Sequence, residues 1–241
     1  LIVAVLYLPR RPVPASGRVL KIHVIRAALT AVMAYLFFFG LTRIPLAQAI
    51  GLSFIAPIIT LFLAVPILGE RIGANAKLAA VLGFVGVMVV VGGELLAADE
   101  GSDAVGMVAV LLSAAMYAFN LVLQRMQALV ARPLEIAFYQ NTIVFLMLLV
   151  GVPFAVSWPA SSYQWGGAAL AAGLAVGSLM LMSLAYRQAE AQRLVVIEYT
   201  AFIWAAIMGW WFFAEPITAR TLLGTGLIVL GCLVSARGGS R

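Results

Sequence analysis

Apolar residues run through this chain in long stretches separated by short polar gaps. The stretches lie at about 19–42, 46–69, 74–93, 105–124, 134–157, 164–186, 194–214 and 217–235, with an apolar stub at 1–8. Each full stretch is close to the ~20 residues a helix needs to cross a bilayer core. The pattern predicts eight full membrane-spanning helices and the end of another. The expected fold class is therefore an all-α integral membrane protein. Composition agrees: 64% of residues are hydrophobic and 10% charged, against roughly 45–50% and ~25% in a soluble domain.

Charge fixes the expected orientation. If the stub ends one crossing and the loop after it is cytoplasmic, that side holds Arg10, Arg11, Arg18, Lys21, Arg26, Arg71, Lys77, Arg125, Arg132, Arg187, Arg193, Arg237 and Arg241, which is 13 of 15 cations. Arg43 and Arg220 fall outside. Cations near span ends are retained in the cytoplasm during insertion, so this split predicts a cytoplasmic C-terminus; the expected location is a bacterial plasma (inner) membrane. It also puts the acidic segment 94–104, with Glu94, Asp99, Glu100 and Asp103, outside. The formal net charge of +6 reads as topology plus attraction to anionic lipid rather than nucleic-acid binding. The single cysteine, Cys232, offers neither a disulfide framework nor a metal cluster.

The chain repeats with an offset of 145 residues: Glu70 in ILGER maps onto Glu215 in FFAEP, and Gly86 onto Gly231. Stretches 46–69 and 74–93 then fall on 194–214 and 217–235, and 19–42 on 164–186. The stub matches 146–153, which leaves the equivalent of 106–145, or 40 residues, without a counterpart, and the chain reads as a ten-span design truncated at its start. The expected halves are 1–93 and 105–236, joined by an external acidic linker at 94–104 and followed by a tail at 237–241. Five spans per half sets equivalent helices in opposite directions. Inverted repeats of this kind build secondary transporters, with the substrate site near the midplane between them.

The run PLAQAIGLSFIAPIITLFLAVPILGERIGANAKLAAVLGFVGVMVVV resembles the EamA repeat of the drug/metabolite transporter superfamily, in which a helix with a central proline ends in an LGE-type motif and leads into a Gly-rich helix. EYTAFIWAAIMGWWFFAEPITARTLLGTGLIVLGCLVSA is similar to a second copy. The resemblance covers nearly the whole chain. It implies a ten-helix, basket-like carrier with a central cavity, exporting amino acids or related metabolites. Two departures stand out: the first helix and most of the second are missing, and Phe202 occupies the equivalent of Pro57.

Polar residues inside the spans are the candidates for chemistry, because in hydrocarbon each needs a partner or a wet cavity. Glu198 lies about a turn inside its span in VVIEYTAF, and its repeat equivalent is Ser53. Burial penalises the charged form of a carboxylate, which suits a proton-coupling group or the counter-ion of an amine. The alternative is a structural pair with Arg193 or Arg187. Ser113, Tyr117, Asn120 and Gln124 share one face of span 105–124. We expect Tyr117 and Asn120 to line a cavity and Gln124 to reach the inner interface, the alternative being hydrogen bonds between helices. Tyr139 and Thr142, with Gln140 and Asn141 nearby, form a shorter stripe of the same kind. Pro57 is expected to bend the middle of span 46–69, as hinge or static kink, on a helix that also carries Gln48, Ser53 and Thr60. The substrate-binding set is thus Tyr117, Asn120, Tyr139, Asn141, Glu198, Tyr199, Trp204 and Gln48, with Glu198 the proton-coupling candidate.

Other features read as structural. Trp158, Tyr163, Trp165, Trp210 and Trp211 suit an interfacial belt. Gly83 with Gly86, Gly173 with Gly177, and Gly224 with Gly231 suit close helix approach. Glu70 and Glu215 read as end groups beside Arg71 and Arg220. His23, the only histidine, stands among cations at a helix entrance and is expected to be solvated at the interface.

An enzyme is not expected, since no base stands beside an intramembrane serine and no HExxH, paired intramembrane aspartates or phosphate loop occurs. No cofactor or metal is expected. The partners are a small-molecule substrate and membrane lipid, with a homodimer possible. The competing reading is a non-transporting membrane module, or a lipid-handling partner, built on the same fold.

Overall fold

In the computed structural model, residues 2–10, 16–44, 46–70, 72–97, 103–149, 161–213 and 219–237 are described. They form helices throughout. The first seven are α1 (Ile2–Tyr7), α2 (Gly17–Leu41), α3 (Leu46–Ser53), α4 (Ala56–Leu68), α5 (Ala74–Ala97), α6 (Ala104–Val130) and α7 (Pro133–Leu149). Then come α8 (Ser162–Gln188), α9 (Ala191–Glu198), α10 (Thr200–Phe213) and α11 (Ala219–Arg237), and a 3-10 turn at Leu8–Arg10 follows α1. The segments Gly17–Leu41, Ala49–Leu68, Ala104–Val130 and Ser162–Gln188 are long and apolar enough to cross a membrane. Large apolar side chains point outward along them, among them Tyr35, Phe62, Leu112, Leu174 and Leu181. In water such exposure would drive aggregation; in lipid it is the expected surface.

Two apolar stretches expected as single spans are broken helices. Stretch 46–69 divides into α3 and α4, and 194–214 into α9 and α10. The first break has an evident cause. Pro57 sits in the first turn of α4 rather than mid-helix, where its missing N–H costs least, and the backbone before it tightens, with Ile55 N–H bonding Leu52 O at 3.3 Å. The second break has neither proline nor glycine. There the Thr200 hydroxyl donates to Ile197 O at 2.6 Å, competing with the helical ladder for a carbonyl.

The 145-residue offset is also the offset of the helices. Residues 46–53 become 191–198, and the starts of α5 and α11 are 74 and 219. The two break residues, Phe54 and Tyr199, are equivalents and stack on each other with centroids 5.8 Å apart.

The chain packs as two compact units. One comprises Leu1–Val32 with Leu123–Ala189, the other Met33–Val122 with Glu190–Arg241. In the second unit α5 and α11 make the most extensive helix pairing. A Cβ added at Gly86 would lie 2.6 Å from Gly224 O, and one added at Gly231 would lie 2.9 Å from Ala79 O. Since 79 and 86 map onto 224 and 231, each helix offers the other the same contact, read in opposite directions. The pair therefore crosses antiparallel and self-complementary, with glycines allowing the close approach. Gly83 faces the Tyr199 ring in the same cluster, whereas Gly173 and Gly177 meet nothing within 4 Å among the described residues and form no close helix approach there. Around this crossing Val87, Tyr199 and Ile228 are fully buried.

Glu70, the acid of the LGE motif, accepts the backbone N–H groups of Ala191 at 3.1 Å and Gln192 at 3.4 Å. It caps α9, whose free N–H groups and positive dipole end suit a carboxylate. Glu215 lies outside the described residues. At another end of this unit Arg43 donates to the Asp103 carboxylate. That hydrogen bond holds the Asp103 carboxyl below the usual carboxylate range. Both residues were expected on the external side, and they do share one end.

Candidate functional site

The second unit contains a cavity of about 250 Å³. Met33, Phe37 and Phe38 from α2 form its apolar wall, and Ser53, Ser113 and Tyr117 supply its polar atoms. Its polar groups sit on broken or packed elements for local reasons. Ser53 ends α3 and bonds back to Ala49 O at 2.8 Å. Ser113, on α6, donates to Met33 O at 2.7 Å, tying α6 to α2. Tyr117, one turn further along α6, donates its hydroxyl to Glu198 Oε2 at 3.1 Å. Glu198 is the last residue of α9. Its other oxygen, Oε1, is buried and has no hydrogen-bond partner among the described residues.

The arrangement has chemical content. A carboxylate with one oxygen bonded to a phenol and the other buried without a donor is poorly stabilised as an anion. Either a proton or a cationic group would satisfy the open oxygen. Arg193 forms no ion pair with it among the described residues. Glu198 and Ser53 are repeat equivalents that end the first segments of the two broken helices, so the site is symmetric in backbone and asymmetric in charge.

A family model described as the EamA-like transporter family matches residues 1–92 and 104–237. The chain belongs to the EamA-like transporter family. It is 27% identical over 221 residues to the pseudopaline exporter CntI of Pseudomonas aeruginosa strain UCBPP-PA14, covering 88% of this chain and 74% of that one. It is also 27% identical over 226 residues to a riboflavin transporter of Rhizobium johnstonii, covering 91% of this chain and 71% of that one. A solved crystal structure superposes with a TM-score of 0.76 at 20% identity, covering 98% of this chain and 83% of that one. This EamA-like chain is therefore an integral membrane transporter of small molecules; its family and the names of its relatives indicate a transporter rather than an enzyme.

The structure distributes the other sequence candidates of this EamA-like transporter unevenly. Asn120 is buried on α6 in the same unit as Tyr117, its Nδ2 3.7 Å from Met33 Sδ. Tyr199 is fully buried, and its hydroxyl donates to Phe54 O at 3.3 Å, so it braces the helix break. Trp204 faces outward at 62% exposure. The side chain of Gln48 lies outside the described residues.

Three candidates belong to the other unit. Tyr139 stacks on His23 at 4.7 Å. Asn141 is exposed and bonds its own helix at Ala137 O. Gln124 is buried and accepts from Arg26 at 3.0 Å, rather than reaching an interface.

What sequence reasoning missed is the polar interior of that unit. His23 is completely buried, not solvated, and it stands with Arg26, Gln127 and Glu135, while Gln140, buried in the same unit, donates to the Thr30 hydroxyl. The signal was present but weak: His23 and Arg26 are one turn apart, as are Gln124 and Gln127, so each pair presents one polar face.

Proposed function

We propose that this chain is a secondary transporter exporting a small metabolite, an amino acid or related compound, by alternating access in a bacterial inner membrane, with its C-terminus cytoplasmic. The observation that carries the reading is the Tyr117–Glu198 pair beside the cavity, with one carboxylate oxygen left open. A cavity of about 250 Å³ falls just below the ~300–1,000 Å³ of ordinary ligand pockets, which favours a small substrate. Its wall of Phe and Met with a few convergent hydroxyls suits a molecule with an apolar body and one polar or cationic head. The names of the relatives, a pseudopaline exporter and a riboflavin transporter, support small-molecule cargo and, in one case, outward direction. On this reading two repeats, 1–93 and 105–236, rock about the site, with the breaks at Phe54 and Tyr199 as pivots. Glu198 then carries a proton or pairs with the substrate, Tyr117 and Asn120 contact it, and the cations hold the orientation.

Flux in proteoliposomes with Glu198→Gln tests this. Gln preserves the shape and a hydrogen-bond acceptor for Tyr117 but cannot titrate. A coupling role predicts retained substrate binding with pH-driven flux abolished. A counter-ion role predicts binding weakened by roughly 2–5 kcal/mol, the loss on stripping one partner from a buried charge pair. Transport unchanged across pH, at normal expression, would remove Glu198 from the mechanism.

A further inference from the structure

The first unit holds a chain of buried polar groups with no part in the site above. Arg26 Nη1 donates to Gln127 Oε1 at 2.8 Å, and Gln127 Nε2 lies 2.9 Å from His23 Nδ1. His23 and Gln127 are fully buried, and Arg26 is only 4% exposed. The second guanidinium nitrogen donates to Gln124 Oε1 at 3.0 Å. The far ring nitrogen of the histidine, Nε2, stands 3.6 Å from Glu135 Oε1, beyond hydrogen-bond reach.

The direction of every bond in this chain follows from one fact: a guanidinium has donors and no acceptor. Gln127 must therefore turn its oxygen to Arg26, which leaves its NH2 group for His23. Nδ1 can then only accept, so the neutral ring carries its proton on Nε2, facing Glu135. A proton added at Nδ1 would confront the Gln127 NH2, donor against donor. Flipping the Gln127 amide relieves that clash and creates the same one against Arg26. The ring cannot become an imidazolium while both of these Gln127 hydrogen bonds hold. Once protonated it gains Glu135 as a counter-charge, while Arg26 keeps Gln124.

Among the described residues, the charged and titratable groups around the ring are few. Arg26 is on its own helix, Glu135 and Tyr139 are on α7, and Tyr7 on α1 packs edge-on against Tyr139 at 6.4 Å. On α6 the facing group is Gln127, and Arg125 of that helix donates to the Tyr186 carbonyl.

We propose that His23 is a proton-binding latch: as a neutral ring it closes the Arg26–Gln127–His23 chain, and on taking a proton at Nδ1 it opens that chain and pairs with Glu135. The latch is independent of the Glu198 reading and uses no residue of that site. It gives the first unit two discrete polar arrangements, selected by proton concentration.

Solid-state NMR of the full chain in lipid vesicles, with ¹⁵N-labelled histidine, reads the latch directly, because His23 is the only histidine. The expected spectrum at alkaline pH is one neutral tautomer, protonated at Nε2, giving way on acidification to the doubly protonated ring. In Arg26→Met the Gln127 amide is freed, and the neutral ring should become a mixture of both tautomers. In Glu135→Gln the doubly protonated ring should need at least tenfold more acid. A wild-type ring carrying its neutral proton on Nδ1 would overturn the proposal without any variant. So would an Arg26→Met spectrum identical to wild type, or a Glu135→Gln titration that does not move.

Discussion

The antiparallel crossing of α5 and α11 makes a quantitative prediction, because glycines that touch and glycines that do not occur in the same two helices. Adding a methyl at Gly86 places it 2.6 Å from a backbone oxygen and 2.8 Å from Ile228 Cγ1. An ordinary contact needs about 3.4 Å, and the carbonyl cannot rotate aside, so the helices must part. Overpacking of this kind costs about 1–3 kcal/mol. Against it stands the gain of about 1 kcal/mol when Ala replaces Gly within a helix. Gly92→Ala on α5 and Gly226→Ala on α11 meet nothing within 4 Å and carry that gain alone. The difference between Gly86→Ala and Gly92→Ala therefore isolates the clash, about 1–3 kcal/mol. At about 2–4 °C per kcal/mol for a chain of this size, Gly86→Ala should melt about 2–12 °C below Gly92→Ala in a detergent-solubilised thermal assay. Gly231→Ala should fall below Gly226→Ala in the same sense, by less, because its contact is longer. Equal melting of touching and non-touching variants on both helices would refute the crossing.

Removing the cap in Glu70→Ala should cost about 1–2 kcal/mol, or several degrees of melting temperature, with Glu70→Gln intermediate; a wild-type melt for the alanine variant would show that α9 needs no cap. The Arg43–Asp103 pair should stabilise the fold at pH above the ordinary aspartate value of about 4. The folded Asp103 pKa is lowered, so this stability is lost as pH falls through it, and Asp103→Asn should melt below wild type at pH 7 and together with it in strong acid. For orientation, in a Cys232→Ala background, a cysteine at Thr42 should react with an impermeant thiol reagent in intact cells and one at Val130 should not; the reverse pattern would invert the proposed topology.

Much of the fold is legible in the sequence because lipid imposes so strong a rule. Apolar length marks the helices, and α2, α6 and α8 fall within a few residues of the expected stretches at their starts. The offset that pairs Glu70 with Glu215 also locates α9, α10 and α11. The helix breaks were less legible. Pro57 advertises one, yet its effect falls at the start of α4 instead of mid-span, while the break at Tyr199 carries neither proline nor glycine, only a Thr200 hydroxyl of a kind that any helix could carry. Of the site, Glu198 and Tyr117 were visible as polar groups in apolar surroundings, but no spacing rule joins residues 81 positions apart. His23 misled because its neighbours Lys21 and Arg26 look like one solvated cluster. Lys21 is exposed and Arg26 buried, and linear proximity to a charge does not say which way a helix turns it.

Ser53 and Glu198 occupy equivalent ends of two equivalent broken helices, and only one of them is an acid. Had the same architecture been assembled from two identical chains, any acid at this position would have arrived twice, and two carboxylates facing one chamber repel each other or must share a proton. Carrying both copies on one polypeptide lets the number of ionisable groups be odd. If Glu198 is the coupling residue, the largest number of protons this site can exchange per turnover is one, and that stoichiometry is set by the covalent link between the halves rather than by the chemistry of the acid.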